Sequence, residues 1–178
     1  MPAALTVSAA CLYSTNSISQ EMLEEIIVTA QKRSESLQDV PASIAAFSGD
    51  MIDQLGWSDL DQLQESVPSL NIGGSGKSRP VVFIRGVGTR KFDIGADGSV
   101  GIFVDEVYNA RFSSTLSGMM DIERIEVLKG PQGTLYGRNT IGGAISIITR
   151  KPSNKPQVKI KLLAGNESQY QYGLNASG

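Results

Sequence analysis

Apolar residues are spaced in three different ways along this chain, and each spacing predicts a different kind of element. Between Ser43 and Phe47 the run Ser-Ile-Ala-Ala-Phe predicts a strand, and Ser48 is placed to cap a short helix that runs to Leu55 and ends at Gly56. Ser58 is placed to cap a second helix, in which Leu60, Leu63 and Val67 share a face and which Pro68 stops. From there the period becomes two. Strands are predicted over Val81–Arg85, Val100–Val104, Ile122–Leu128 and Ala144–Thr149, with Asp105-Glu106 as a turn into Val107-Tyr108. Within Ile122–Leu128 the alternation sets Ile122, Arg124, Glu126 and Leu128 on one face, with Glu123, Ile125 and Val127 on the other. Long Gly-rich loops, 73–80 and 86–99, separate these pieces. Short strands, two helices and such loops predict an α+β domain over about residues 41–150.

Two regions outside that domain read differently. From Ser14 to about Val40 the chain is polar, with one apolar patch at Ile26-Ile27-Val28 and no helical repeat, so an extended, mobile segment is expected, with folding from Pro41 onward. The patch has a core reading and a partner reading; with little around it to pack against, a strand that adds to a partner is favoured. Beyond residue 156, Val158, Ile160, Leu162 and Ala164 alternate with Gln157, Lys159, Lys161 and Leu163. A turn at 165–168 follows, and then Tyr170, Tyr172, Leu174 and Ala176 alternate with Gln169, Gln171, Gly173 and Asn175. A membrane β-barrel and an amphipathic hairpin on a soluble sheet both fit that pattern.

Composition removes several chemistries. The 178 residues contain no His and one Cys, Cys11, so a Ser-His-Asp or Cys-His relay and a His- or Cys-built zinc site are excluded. A net charge of -2 does not suit a protein that works by neutralising nucleic-acid phosphates, and no nucleic-acid partner is expected. No run of 18 apolar residues is present, hence no transmembrane helix. The small-residue apolar start, Met1 to Tyr13, resembles the hydrophobic part of an export signal, although no Lys or Arg precedes Lys32. A clipped signal over residues 1–20 is the expectation.

The familiar site patterns fail on inspection. Gly137 to Ala144 has phosphate-loop glycine spacing without its Lys or hydroxyl, and Gly86-Val87-Gly88-Thr89-Arg90-Lys91 lacks a third glycine. Asp93, Asp97, Asp105 and Asp121 lack calcium-loop spacing. A glycan-processing enzyme built on two carboxylates stays open as a rival, with no pair singled out.

Several segments, in order, resemble the plug domain of TonB-dependent outer-membrane receptors. They are Glu24-Glu25-Ile26-Ile27-Val28-Thr29-Ala30, Leu37-Gln38-Asp39-Val40-Pro41, Phe83-Ile84-Arg85-Gly86-Val87-Gly88, and the long run from Asp121 through Gly130-Pro131-Gln132-Gly133-Thr134-Leu135-Tyr136-Gly137 to Pro152. The resemblance implies a plug domain (41–152) with a small mixed β-sheet, short helices and long Gly-rich loops, preceded by a flexible TonB-box segment (21–40). It implies that residues 153–178 begin a transmembrane β-barrel whose remainder is missing from this chain, which would make the chain an N-terminal fragment.

The same resemblance implies roles. Glu25, Ile26, Ile27, Val28, Thr29 and Ala30 would add as a strand to TonB, which works with ExbB and ExbD on the periplasmic side. Arg85 and Lys129 would face barrel-wall carboxylates and lock the plug, the lock weakened because Lys replaces the family's usual two-pronged Arg. Read from the sequence pattern alone, Arg85, Glu123, Arg124, Glu126 and Lys129 are charges on solvated strand faces. Loops 72–80, 87–98 and 108–117 would lie at the extracellular apex and offer Lys77, Arg79, Arg90, Lys91, Phe92, Tyr108, Arg111 and Phe112 to an anionic ligand such as a ferric chelate. No catalytic residue, metal site or prosthetic group is implied. The implied function is outer-membrane uptake of a scarce nutrient, most readily a ferric siderophore, and the alternative is a self-contained periplasmic binding or signalling module.

Overall fold

The structure, a computed structural model, describes residues 26–29, 32–33, 35–74, 80–90, 98–110, 121–152, 154–165 and 170–177. Its centre is a five-stranded sheet in the order β3-β9-β10-β7-β8, formed by Ile44–Ser48, Ile122–Lys129, Gly143–Thr149, Val100–Val104 and Val107–Tyr108. β10 runs parallel to β7 and antiparallel to β9, so the sheet is mixed, as expected. A second sheet joins β4 (Leu70–Gly74), β5 (Pro80–Ile84) and β6 (Val87–Gly88). Leu70 and Ile72 alternate inward on β4, so residues 72–74 are strand and not the start of an open loop; Val87-Gly88 is likewise strand.

The main core lies between these sheets and two short helices. Phe47, Ile102, Ile125, Val127, Ile145 and Ile147 meet Val82, Ile84, Leu60, Leu63, Val67 and Trp57 in one buried cluster. Helix α1 (Gly49–Gln54) starts at Ser48, whose hydroxyl oxygen accepts from the Met51 N–H at 3.2 Å, and buries Ile52. Gly56, at φ +69°, ends it as expected. The second helix is a 3-10 turn over Leu60–Glu65 with Asp59 as its cap, not Ser58. The Gln62 side-chain oxygen accepts from the Ser58 and Asp59 N–H groups at 2.6 and 3.0 Å, which places the helix start one residue later. The shared face of Leu60, Leu63 and Val67 is buried all the same.

On β9 the register shifts: Ile148 pairs with Arg124, but Thr149 pairs with Ile122. Glu123 is the extra residue of a β-bulge, which returns Ile122 to the core face instead of leaving it beside Arg124. On the sheet's other face, Phe103, Leu128 and Ala144 form a smaller cluster with Tyr108 and Tyr136.

The N-terminal apolar patch corrects an expectation. Ile27–Val28 form β1, paired with β2 (Glu35–Ser36), and Val28 is fully buried with Val40 and Ala46 against the five-stranded sheet. The patch does have something to pack against, because Val40, Ala42 and Ile44 arrive from further along the chain to cover it. Ordered packing thus begins before Pro41.

Beyond these sheets, β11 (Gln157–Ala164) and β12 (Tyr170–Ser177) pair antiparallel, Val158 opposite Ala176 and Leu162 opposite Tyr172. Val158, Ile160, Leu162, Tyr170, Tyr172 and Leu174 are all between 67% and 86% exposed, an apolar face left uncovered among the described residues. Among the described residues no helix is long and apolar enough to cross a membrane.

Candidate functional site

β9 lies between β3 and β10 in the sheet and carries, away from the main core, Arg124 and Glu126. Glu126 is fully buried, contrary to the expectation of a solvated strand face. Arg124 Nε donates to Glu126 Oε1 at 2.8 Å, and Arg124 also pairs with Glu123, brought to the same side by the bulge. The third member comes from the N-terminal segment. The Thr29 N–H donates to Glu126 Oε1 at 2.7 Å, and Arg124 Nη2 donates to the Thr29 hydroxyl at 2.9 Å. Thr29 and Glu126 are 97 residues apart, so the contact is purely tertiary.

Beside this network lies a cleft of ≈ 640 Å³, lined by Ile27, Thr29 and Lys32 on one side and by Phe103, Tyr108, Arg124, Tyr136 and Ser146 on the other. The Tyr136 ring packs edge-on against Phe103, centroids 4.8 Å apart. Burial, reinforced by the Glu126 charge, pushes the Tyr136 hydroxyl up to about 12. It stays a neutral donor at physiological pH. Among the described residues no three His, Cys, Asp or Glu side chains gather as a metal would need.

The residues singled out from the sequence divide into separate places. Ile26, Ile27, Val28 and Thr29 sit together on the edge of this cleft or just behind it; Glu25 and Ala30 lie outside the described residues. Tyr108 was expected in a ligand-facing loop and is instead on β8, directly opposite Phe103 in the register. The tight turn at Asp105-Glu106 folds its ring to 5.6 Å from that of Phe103, and its hydroxyl accepts from Asn139 Nδ2 at 3.1 Å. Tyr108 is therefore a packing residue of the cleft wall.

Arg85 occupies the turn between β5 and β6 at φ +53°, its N–H donating to the Ser69 carbonyl at 2.9 Å. Its guanidinium lies 3.8 Å from where a Cβ on Gly130 would sit, so the structure brings Arg85 next to the Lys129-Gly130 step. Among the described residues neither Arg85 nor Lys129 has a carboxylate partner. Arg90 lies over the Phe83 ring at 5.3 Å. Lys77, Arg79, Lys91, Phe92, Arg111 and Phe112 fall outside the described residues.

Sequence reasoning missed the burial of Glu126 and its partnership with Thr29. The Glu-Arg-Ile-Glu alternation at 123–126 was the available signal: two acids flanking an Arg inside an otherwise apolar strand.

Comparison with known proteins agrees with this architecture. Residues 36–144 match the family described as TonB-dependent Receptor Plug Domain. The iron-regulated outer membrane virulence protein of Vibrio cholerae is 31% identical over 168 residues, covering 90% of this chain and 26% of its own length. The vitamin B12 transporter BtuB of Vibrio vulnificus is 30% identical over 164 residues, covering 86% and 25%. Among solved structures, the ferric yersiniabactin uptake receptor FyuA of Yersinia pestis superposes with a TM-score of 0.70 at 30% identity, covering 77% of this chain and 21% of FyuA. The chain thus spans about a quarter of the length of the curated relatives it matches. With the plug match covering well over half of the chain and the fold agreeing with it, this chain belongs to the TonB-dependent receptor plug family.

Proposed function

We propose that this chain is the plug region of an outer-membrane active transporter that binds a scarce nutrient, most readily a ferric siderophore, and admits it to the periplasm with energy delivered through TonB. The observation that carries this reading is the plug-family match over residues 36–144 together with the mixed sheet that it describes. The exposed apolar face of β11 and β12 favours a transporter over a self-contained periplasmic module, because such a face suits lipid and a soluble module would have to cover it. Relatives named as an iron-regulated outer membrane protein, a ferric yersiniabactin uptake receptor and a vitamin B12 transporter support a metal-containing nutrient as the substrate. No catalytic step belongs to this reading.

Within it, Glu25 to Ala30 form the strand that adds to TonB, the partner that acts with ExbB and ExbD. Backbone bonds supply affinity, and Ile and Val side chains supply register. Arg85, which lies next to Gly130, and Lys129, both without carboxylate partners among the described residues, are the cations offered to the barrel wall. Lys77, Arg79, Arg90, Lys91, Phe92, Arg111 and Phe112 are the plug's contribution to an anionic ligand, with Arg90 partly committed to Phe83.

Two experiments test the reading. Cells lacking the gene should lose growth on one ferric chelate under iron limitation and regain it from a plasmid copy; growth unchanged on every chelate and on vitamin B12 would sink the transport assignment. A peptide of residues 24–30 should bind the periplasmic domain of TonB, and its Val28→Pro version should not, since Pro removes a ladder donor.

A further inference from the structure

One row of side chains crosses four strands of the main sheet, on the face away from the main core. Glu126 on β9 stands directly opposite Ser146 on β10, Ser146 opposite Phe103 on β7, and Phe103 opposite Tyr108 on β8. Directly opposed residues of neighbouring strands carry their side chains next to each other, so the row runs from a carboxylate through a hydroxyl to two rings. Tyr136 leans over it from α2 (Gly133–Tyr136), edge-on to Phe103 at 4.8 Å. Ser146 and these three rings line the cleft of ≈ 640 Å³, a volume that suits a small molecule.

The charge beside this row does not cancel. One guanidinium, that of Arg124, serves both Glu123 and Glu126, so the three together carry a net negative charge. Glu126 is fully buried and its Oε2 has no partner among the described residues, so solvent screens it little. Tyr136 registers that field: burial first, and then the Glu126 and Glu106 charges, hold the proton on its hydroxyl. A negative potential therefore reaches the cleft wall. Lys32 and Lys151 also line the cleft, but both are exposed, and water and salt screen charges so placed. Aromatic faces are themselves negative, so the three rings attract the same sign of ligand as the carboxylate does.

We propose that this cleft binds a small organic cation, a primary ammonium on an apolar stem, with the stem among Phe103, Tyr108 and Tyr136 and the ammonium turned toward Ser146 and the Glu126 end of the row. The ammonium supplies the positive charge that Glu123, Arg124 and Glu126 together lack, and the stem gains the ring contacts. An anion of the same shape meets the potential that keeps Tyr136 protonated, and is rejected. The site uses neither the TonB contact nor the loops assigned to the chelate, so its failure leaves the transport reading where it was.

The test is isothermal titration of the protein, expressed from its complete reading frame and extracted in detergent, with two probes of like size and opposite charge, phenethylammonium and hydrocinnamate. The ammonium should bind, and the carboxylate should bind at least about tenfold more weakly. Glu126→Gln keeps the size of the side chain, removes its charge and should weaken ammonium binding by about tenfold. Because Glu126 is buried and bonded to Arg124, two variants at less buried positions carry the test independently of it. Tyr108→Leu removes one ring and should weaken binding by about threefold or more. Lys151→Glu replaces an exposed rim cation by an acid and should tighten binding by about threefold, a gain that a folding defect does not give. No binding of phenethylammonium, equal binding of the two probes, or an ammonium affinity that neither Tyr108→Leu nor Lys151→Glu changes overturns the site.

Discussion

The carbonyl oxygen of Ile122 lies 2.1 Å from the point where a Cβ on Gly49 would be. The first residue of α1 is thus pressed against the start of β9, and Arg150 closes the junction, its Nε donating to that same carbonyl at 3.3 Å and its Nη2 to Asp50 at 2.8 Å. A methyl group has no room there, since the obstacle is backbone and not a flexible side chain. Gly49→Ala is expected to destabilise the plug by about 1–3 kcal/mol, read as a lower urea midpoint at unchanged slope. An unchanged midpoint would show that α1 can slide.

Leu63 is fully buried where the 3-10 turn meets the main core. Leu63→Ala should cost about 2–5 kcal/mol, the range for a leucine truncated in a core that relaxes only partly. Thermal unfolding followed by near-ultraviolet dichroism checks it; a loss below 1 kcal/mol would mean that the core collapses around the gap.

The ion pairs on α1 should matter far less. Asp50 with Arg150 and Asp53 with Lys159 are both substantially exposed to solvent. Asp50→Asn is expected to change stability by no more than about 1 kcal/mol, and 1 M salt should erase most of the difference. A larger, salt-resistant loss would mean that this junction is drier than its exposure indicates.

Tyr136 gives a pH dependence of definite sign. Its hydroxyl is pushed up to about 12 from an ordinary value of 10.0, so between those values the folded chain keeps a proton that the unfolded chain loses. The Tyr136 contribution is whole below pH 10 and is lost as pH rises towards 12. Tyrosinate absorbance at 295 nm should show one late-ionising tyrosine that is missing in Tyr136→Phe, and Tyr136→Phe should have the shallower fall in stability over that window. An identical titration curve would place the late ionisation elsewhere.

Local signals made β7, the Asp105-Glu106 turn, the Ser48 cap and the Leu60, Leu63, Val67 face legible, because each depends on residues within a few positions of one another. β4 was hidden by composition: Asn71, Gly73 and Gly74 look like loop, and only pairing with β5 makes Leu70 and Ile72 a strand. The burial of Val28 and Glu126 was hidden by distance. Their partners come from β1, the 40–46 segment and β9, and no window of sequence contains all three. Ile122 was assigned to the wrong face because a strict period of two does not foresee a bulge.

The strand order of the main sheet has a mechanical consequence. A tension entering at the N-terminal end of the described chain meets, in sequence, the two-residue pairing of β1 with β2 and then β3. Among the described residues β3 is an edge strand bonded to β9 alone within its sheet, so peeling it away leaves the β9-β10-β7-β8 ladder whole. The parallel β10–β7 seam, flanked on both sides by antiparallel partners, is not reached until β3 has gone. Rupture is thus graded: weak, short pairings give first at the outer margin, while the interior of the sheet remains as the template on which the displaced strands can re-form when the load is removed.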